Sequence, residues 1–124
     1  MNRIIHFELT ADDTARAQKF YEDVFAWEVK DSGMPGMDYR LIQIDKPGSA
    51  GINGAIMPKK YHRQATINTI GVDDLKAAMA KVTEAGGKIA GEVQEIPGVG
   101  SHVYATDTEG NLFGMMQAVD GWQA

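Results

Sequence analysis

The sequence predicts an α+β fold made of two tandem βαβββ units whose strands form a cupped mixed sheet. Three observations predict it. The chain repeats itself at an offset of 61 positions. Each copy opens on a strand-like alternation followed by a helical stripe. Each then passes through three further strand-like segments divided by turn residues.

The offset lays residues 4–29 on residues 65–90 and brings Asp12-Asp13 onto Asp73-Asp74. In the first copy Ile5, Phe7 and Leu9 alternate with His6, Glu8 and Thr10, the pattern of a strand with one buried face. In the second, Ile70 and Val72 continue the apolar face, while Ile67 and Thr69 lie on the other.

Helices at about 13–25 and 74–85 follow from spacings of three and four: Ala17, Phe20, Tyr21 and Val24, then Leu75, Met79 and Val82. This places Phe20 in the core. Asp12 or Asp13, and Asp73 or Asp74, can accept hydrogen bonds from the first helical turn and suit the positive end of its dipole. Gly86-Gly87 closes the second helix, where the first offers the less suitable Ala26.

Strands are predicted at 28–30, 38–44 and 52–57, and at 88–93, 102–106 and 112–118. Turns rich in glycine, proline and acidic residues separate them, such as Pro35-Gly36 and Pro97-Gly98-Val99-Gly100. An offset of 59 aligns the tails, 51–57 on 110–116. The expected organisation is a first unit at 1–58, a linker at 59–64, a second unit at 65–120 and a tail at 121–124 containing Trp122. One such unit covers a single face of its sheet with its helix, so the other face must curl or meet its twin. A groove between the two sheets is the economical result.

A length of 124 residues suits one compact domain. The chain has no cysteine, which excludes disulfides, thiolate metal sites and a cysteine nucleophile. A net charge of −5 argues against nucleic acid as a partner. No apolar run approaches the roughly 20 residues that span a bilayer, so no membrane association is expected. Met1-Asn2-Arg3 runs straight into a strand pattern and is not a signal peptide, so a cytoplasmic location is expected. The basic cluster Lys59-Lys60-Tyr61-His62-Arg63 is read as a solvated linker, with His62 exposed.

The run His6-Phe7-Glu8-Leu9-Thr10-Ala11-Asp12-Asp13 and the segment Lys19-Phe20-Tyr21-Glu22-Asp23-Val24-Phe25-Ala26-Trp27 resemble the opening of vicinal oxygen chelate proteins. The stretch Thr106-Asp107-Thr108-Glu109-Gly110-Asn111-Leu112-Phe113-Gly114-Met115-Met116-Gln117 resembles their close. The resemblance to this glyoxalase/bleomycin-resistance/dioxygenase superfamily covers nearly the whole chain and is specific for fold rather than reaction. It implies the glyoxalase/bleomycin-resistance/dihydroxybiphenyl-dioxygenase fold and a small-molecule ligand. In most enzymes of the superfamily a divalent metal is held by first- and last-strand residues of each unit. The positions here that match are His6, Ile67, Ala55 and Gly114, and His6 alone has a donor atom. An open catalytic zinc keeps three protein ligands. No metal site and no cofactor are therefore expected.

His6 and Glu8 lie two apart on one strand and share a face, a candidate acid–base pair. The competing reading is that they hydrogen-bond other polar groups at a sheet junction or subunit interface. Candidate ligand-binding residues are Asn53, Ala55, Met57, Ile67, Thr69, His102, Tyr104, Gly114 and Met116. Three functions follow. The first is a metal-independent small-molecule-binding member of the superfamily. The second is a glyoxalase-like lyase or isomerase in which His6 and Glu8 transfer protons. The third is a structural module whose groove is filled by side chains. A homodimer is expected, from the resemblance and from the need to protect sheet edges in so short a chain.

Overall fold

The computed structural model describes residues 1–122, so the last two residues of the predicted tail lie outside the described residues. The elements run β1 (Arg3–Ala11), α1 (Thr14–Phe25), β2 (Glu28–Asp31), β3 (Arg40–Gln43), β4 (Gly54–Pro58), β5 (Thr66–Gly71), α2 (Leu75–Glu84), β6 (Lys88–Ile89), β7 (Gln94–Ile96), β8 (Gly100–Thr106) and β9 (Leu112–Ala118). The class is α+β, as the sequence predicts.

The second aspartate of each pair caps its helix. Asp13 accepts from the Arg16 N–H and Asp74 from the Ala77 N–H, both at 3.0 Å. At the other end of α1, Ala26 closes the helix in the left-handed region at φ 58°. After α2 that role falls to Gly86, at φ 95°, and the Gly87 N–H reaches the Val82 carbonyl at 2.9 Å.

Contacts divide the chain into His6–Thr66 and a second group, Met1–Ile5 with the chain from Ile67 onward. The division falls inside β1, whose opening residues follow β5: the Asn2 N–H donates to the Gly71 carbonyl at 2.8 Å. We call His6–Thr66 the first unit. Its strand order is β2-β3-β4-β1, with β1 parallel to β4 and the other pairs antiparallel. Its core is Val29, Ile42 and Ile56, flanked by Phe7, Leu9, Ala17, Tyr21 and Trp27. In the second unit β5 is parallel to β9, and β8 runs antiparallel to β9, β6 and β7. Its core is Val72, Leu75, Val103, Ala105 and Met115, with Ala78, Met79 and Val82 of α2 packed against it.

Three expectations are corrected. Phe20 is 55% exposed and Val24 54%, so neither is core. The inward stripe of α1 is Thr14, Ala17, Gln18 and Tyr21. Two polar residues hold core-facing positions there, so apolarity misplaced the face. Of the strand predicted at 88–93 only 88–89 forms, as β6, because Gly91 at φ 121° breaks the extended run, and β7 at 94–96 lies outside the predicted strands. In the segment 59–64 Lys59, Lys60 and Arg63 are exposed as expected, but His62 is half-buried, and the backbone is tied down where Lys59 N–H donates to the Ala11 carbonyl and Thr10 Oγ1 to the Gln64 carbonyl.

Candidate functional site

Each unit carries polar side chains on the sheet face turned away from its own helix. In the first unit the alternation of β1 decides this. Phe7 and Leu9 join the helix-side core, so His6, Glu8 and Thr10 project the other way. Tyr39, one residue before β3, joins them. Its hydroxyl donates to Glu8 Oε2 at 2.6 Å. His6 Nε2 lies 2.8 Å from the same phenolic oxygen, and the two rings stack with centroids 6.4 Å apart. With the phenolic proton given to Glu8, His6 Nε2 carries the proton of the second bond. Glu8 is only 2% exposed, so the tyrosine supplies a hydrogen bond that water does not. Imidazole, phenol and carboxylate form a continuous path along which a proton can move.

In the second unit Thr69, Gly114 and Tyr104 lie in a row across β5, β9 and β8. The His102 ring fills the space over Gly114. A Cβ there would sit 2.5 Å from His102 Nε2 and 2.8 Å from Thr69 Oγ1. Glycine is therefore what lets the imidazole occupy this place. His102 and Tyr104 meet edge to face at 4.6 Å. Among the described residues the buried Thr69 hydroxyl has no hydrogen-bond partner.

The remaining predicted residues are placed as follows. Ala55 and Met57 pair with Glu8 and Thr10 in the β1–β4 ladder. Both are buried, as are Ile67 and Met116. Asn53 serves the backbone: its Oδ1 accepts the Ile44 N–H at 3.1 Å, and its carbonyl accepts the Phe7 N–H at 3.4 Å. Sequence reasoning missed Tyr39. Its place becomes legible only from the ladders, where β3 lies against β4 as β8 lies against β9. Arg40 opposes Ile56 and Val103 opposes Met115, and 56 and 115 are equivalent at the offset of 59. Tyr39 thus stands where the second unit has His102.

The residues do not fit the superfamily's divalent metal. Ile67 and Ala55 are fully buried hydrocarbon. A longer side chain at Gly114 would collide with the His102 ring. Among the described residues no three His, Asp or Glu side chains gather as a metal-binding group. Among the described residues, clefts lie away from these clusters. One of 360 Å³ lies at the β7–β8–β9 end, by Glu95, Ser101 and Gln117. Another, of 680 Å³, lies in the first unit by Gln18, Arg40 and Tyr61.

The repeat, the order of elements and the polar clusters define a protein of the βαβββ class. The family model of the Glyoxalase/Bleomycin resistance protein/Dioxygenase superfamily matches residues 3–115, and the chain belongs to that superfamily. A glyoxylase-like domain-containing protein of Didymella fabae is 31% identical over 116 residues, which are 88% of each chain. CFP32 of Mycobacterium bovis, which carries a provisional glyoxylase name, is 30% identical over 123 residues. That match takes in 92% of this chain and 43% of CFP32, so the chain spans less than half of that relative. The crystal structure of methylmalonyl-CoA epimerase from Mycobacterium tuberculosis superposes with a TM-score of 0.67 at 16% identity. It covers 94% of this chain and 87% of the epimerase, a likeness of fold. Among the described residues no helix is long and apolar enough to cross a membrane.

Proposed function

We propose that this chain is a small-molecule-binding member of its superfamily that works without the family's divalent metal. One observation carries the reading. The positions that the family resemblance gives to metal ligands hold Ile67, Ala55 and Gly114 beside His6, while polar clusters stand at His6–Tyr39–Glu8 and Thr69–His102–Tyr104. In each unit such hydrogen-bonding groups are of the kind that orient a small ligand. Native mass spectrometry of untagged protein tests this. A non-covalent adduct above the 13.5 kDa chain, released by acid, supports it. The reading fails if no adduct appears and a small-molecule library shifts none of the His6, Tyr39, His102 or Tyr104 NMR signals.

A second reading, a glyoxalase-like lyase or isomerase, is favoured by the short hydrogen bonds joining His6, Tyr39 and Glu8. It requires the bound ligand to exchange a carbon-bound proton with solvent deuterium, and Glu8→Gln to abolish the exchange while leaving binding intact. Exchange that persists in Glu8→Gln counts against it. The cytoplasm and a homodimer complete the proposal. They are supported by the absence of cysteine and by the length of the chain. Light scattering at twice 13.5 kDa supports the dimer, and a value near 13.5 kDa removes it.

A further inference from the structure

The repeat contains its own control for the helix side of the first unit. At the offset of 61, the inward stripe Thr14, Ala17, Gln18, Tyr21 of α1 falls on Leu75, Ala78, Met79, Val82 of α2. On the facing strands Arg40 corresponds to Val103. In the second unit Leu75, Met79 and Val103 belong to one apolar cluster. In the first unit all three positions are polar: Thr14, Gln18 and Arg40. Their side chains form a network. Thr14 Oγ1 donates to Asp38 Oδ2 at 2.6 Å, Arg40 Nε to Asp38 Oδ1 at 3.0 Å, and Arg40 Nη1 to Gln18 Oε1 at 2.8 Å. Giving up an apolar triplet forfeits hydrophobic burial, and the network alone does not explain the 680 Å³ cleft beside it.

The cleft is lined by Gln18, Asp31, Asp38, Arg40, Lys60 and Tyr61, with methionines of the 32–37 loop at its border. Asp38 is fully used. Both its oxygens accept, and the Thr14 hydroxyl first, then Arg40, hold its carboxyl below the usual carboxylate range. Asp31 Oδ1 accepts the Gly33 N–H. Donors remain. A guanidinium has five N–H groups, and Arg40 gives two of them to the protein in the bonds above. The Tyr61 oxygen accepts the Asp38 N–H at 2.9 Å, which leaves its own proton to donate. Lys60 forms no ion pair among the described residues, and its ammonium lies 5.8 Å from the Tyr61 ring.

We propose that this cleft is a second binding site, for a small molecule bearing a carboxylate or phosphate group held by Arg40, Lys60 and Tyr61. Arg40 and Tyr39 are consecutive in an extended segment and project to opposite faces of the sheet. The site is therefore on the other side of the first unit's sheet from His6, Tyr39 and Glu8, and it does not depend on the function proposed for them. Guanidinium and ammonium donors around one cleft match the planar or tetrahedral oxygens of such a group.

The test is an amide NMR titration of the full chain with inorganic phosphate and, separately, with succinate, against sodium chloride at equal ionic strength. Saturable shifts are expected at residues 31–40 and 60–61 and at Arg40 Nε, with an affinity of about 1 mM or tighter for at least one anion. Phosphate alone or succinate alone names the group recognised, and either supports the site. Lys60→Ala, an exposed position that should fold normally, is expected to weaken binding about fivefold or more. The combined change Thr14→Leu, Gln18→Met and Arg40→Val installs the second unit's residues. It should abolish the shifts, with some loss of stability because Asp38 is left without its Thr14 and Arg40 partners. The proposal is overturned if neither anion saturates, if chloride reproduces the shifts, or if Lys60→Ala binds as tightly as the parent chain. Should the triple variant fail to fold, Lys60→Ala decides.

Discussion

At the scale of single residues, the informative side chains are those whose partners differ from what the sequence pairs with them. Glu8 is two residues from His6, yet its short bond is to Tyr39. Replacing Tyr39 by Phe removes a donor from a buried charged acceptor. It should destabilise the protein by about 1–3 kcal/mol in urea titrations, the range for a buried group losing its partner. Unchanged stability would contradict the placement of Tyr39. Thr69 presents the opposite case, because its buried hydroxyl has no hydrogen-bond partner among the described residues. Thr69→Val keeps the shape and the β-branching and removes the unsatisfied group. It should be neutral or stabilising by up to about 1 kcal/mol. A loss of more than that in the same titration would mean the hydroxyl is satisfied after all.

At the scale of elements, α1 shows how a helix can be read correctly in extent and wrongly in face. The apolar residues Ala17, Phe20, Tyr21 and Val24 suggested one stripe, but Phe20 and Val24 are exposed. The repeat already held the answer, because at the offset of 61 Phe20 falls on Lys81 and Val24 on Ala85. Phe20→Ala should therefore cost about 1 kcal/mol or less, nearer a surface position than a core one. Leu75→Ala should cost about 2–5 kcal/mol, because Leu75 is 4% exposed within the second unit's core. Chemical denaturation ranks the two. The end of α1 offers a gain. Ala26 holds φ 58°, a conformation that costs a residue with a Cβ about 1–2 kcal/mol. Ala26→Gly should raise stability by about 0.5–1 kcal/mol, less than that strain because glycine is more flexible when unfolded.

At the scale of the whole molecule, two carboxylates link stability to acid. Asp38 is held below its ordinary range by the Thr14 hydroxyl and then by Arg40, partly offset by burial. Asp107 is held down by the Asn111 and Glu109 N–H groups of the turn before β9. A group whose pKa is lower folded than unfolded stabilises the fold fully above the ordinary value of 3.8 and loses that contribution as pH falls through the folded value. Unfolding midpoints should therefore fall as pH drops below about 4. Asp38→Asn and Asp107→Asn should each flatten this acid limb, and an unchanged slope in both would show that other groups carry it. Asp38 is partly exposed and Asp107 is exposed, so solvent screens both contributions.

The sequence by itself determined the class, the repeat, an aspartate cap for each helix and the glycine stop after α2. Each of these is periodic, or lies within a few residues of its partner, or is a matter of side-chain chemistry. Tertiary structure alone decided that Tyr39 bridges His6 and Glu8, and that Thr14, Gln18 and Arg40 meet through Asp38. Tyr39 is 33 residues from His6 and 31 from Glu8, and Thr14 is 24 from Asp38. Tyr39 meets His6 and Glu8 because β3 pairs with β4 and β4 with β1 in one register, and Thr14 meets Asp38 because α1 packs on that sheet. No local pattern encodes a register set by strand pairing across such separations, because a one-residue slip would turn every side chain to the opposite face.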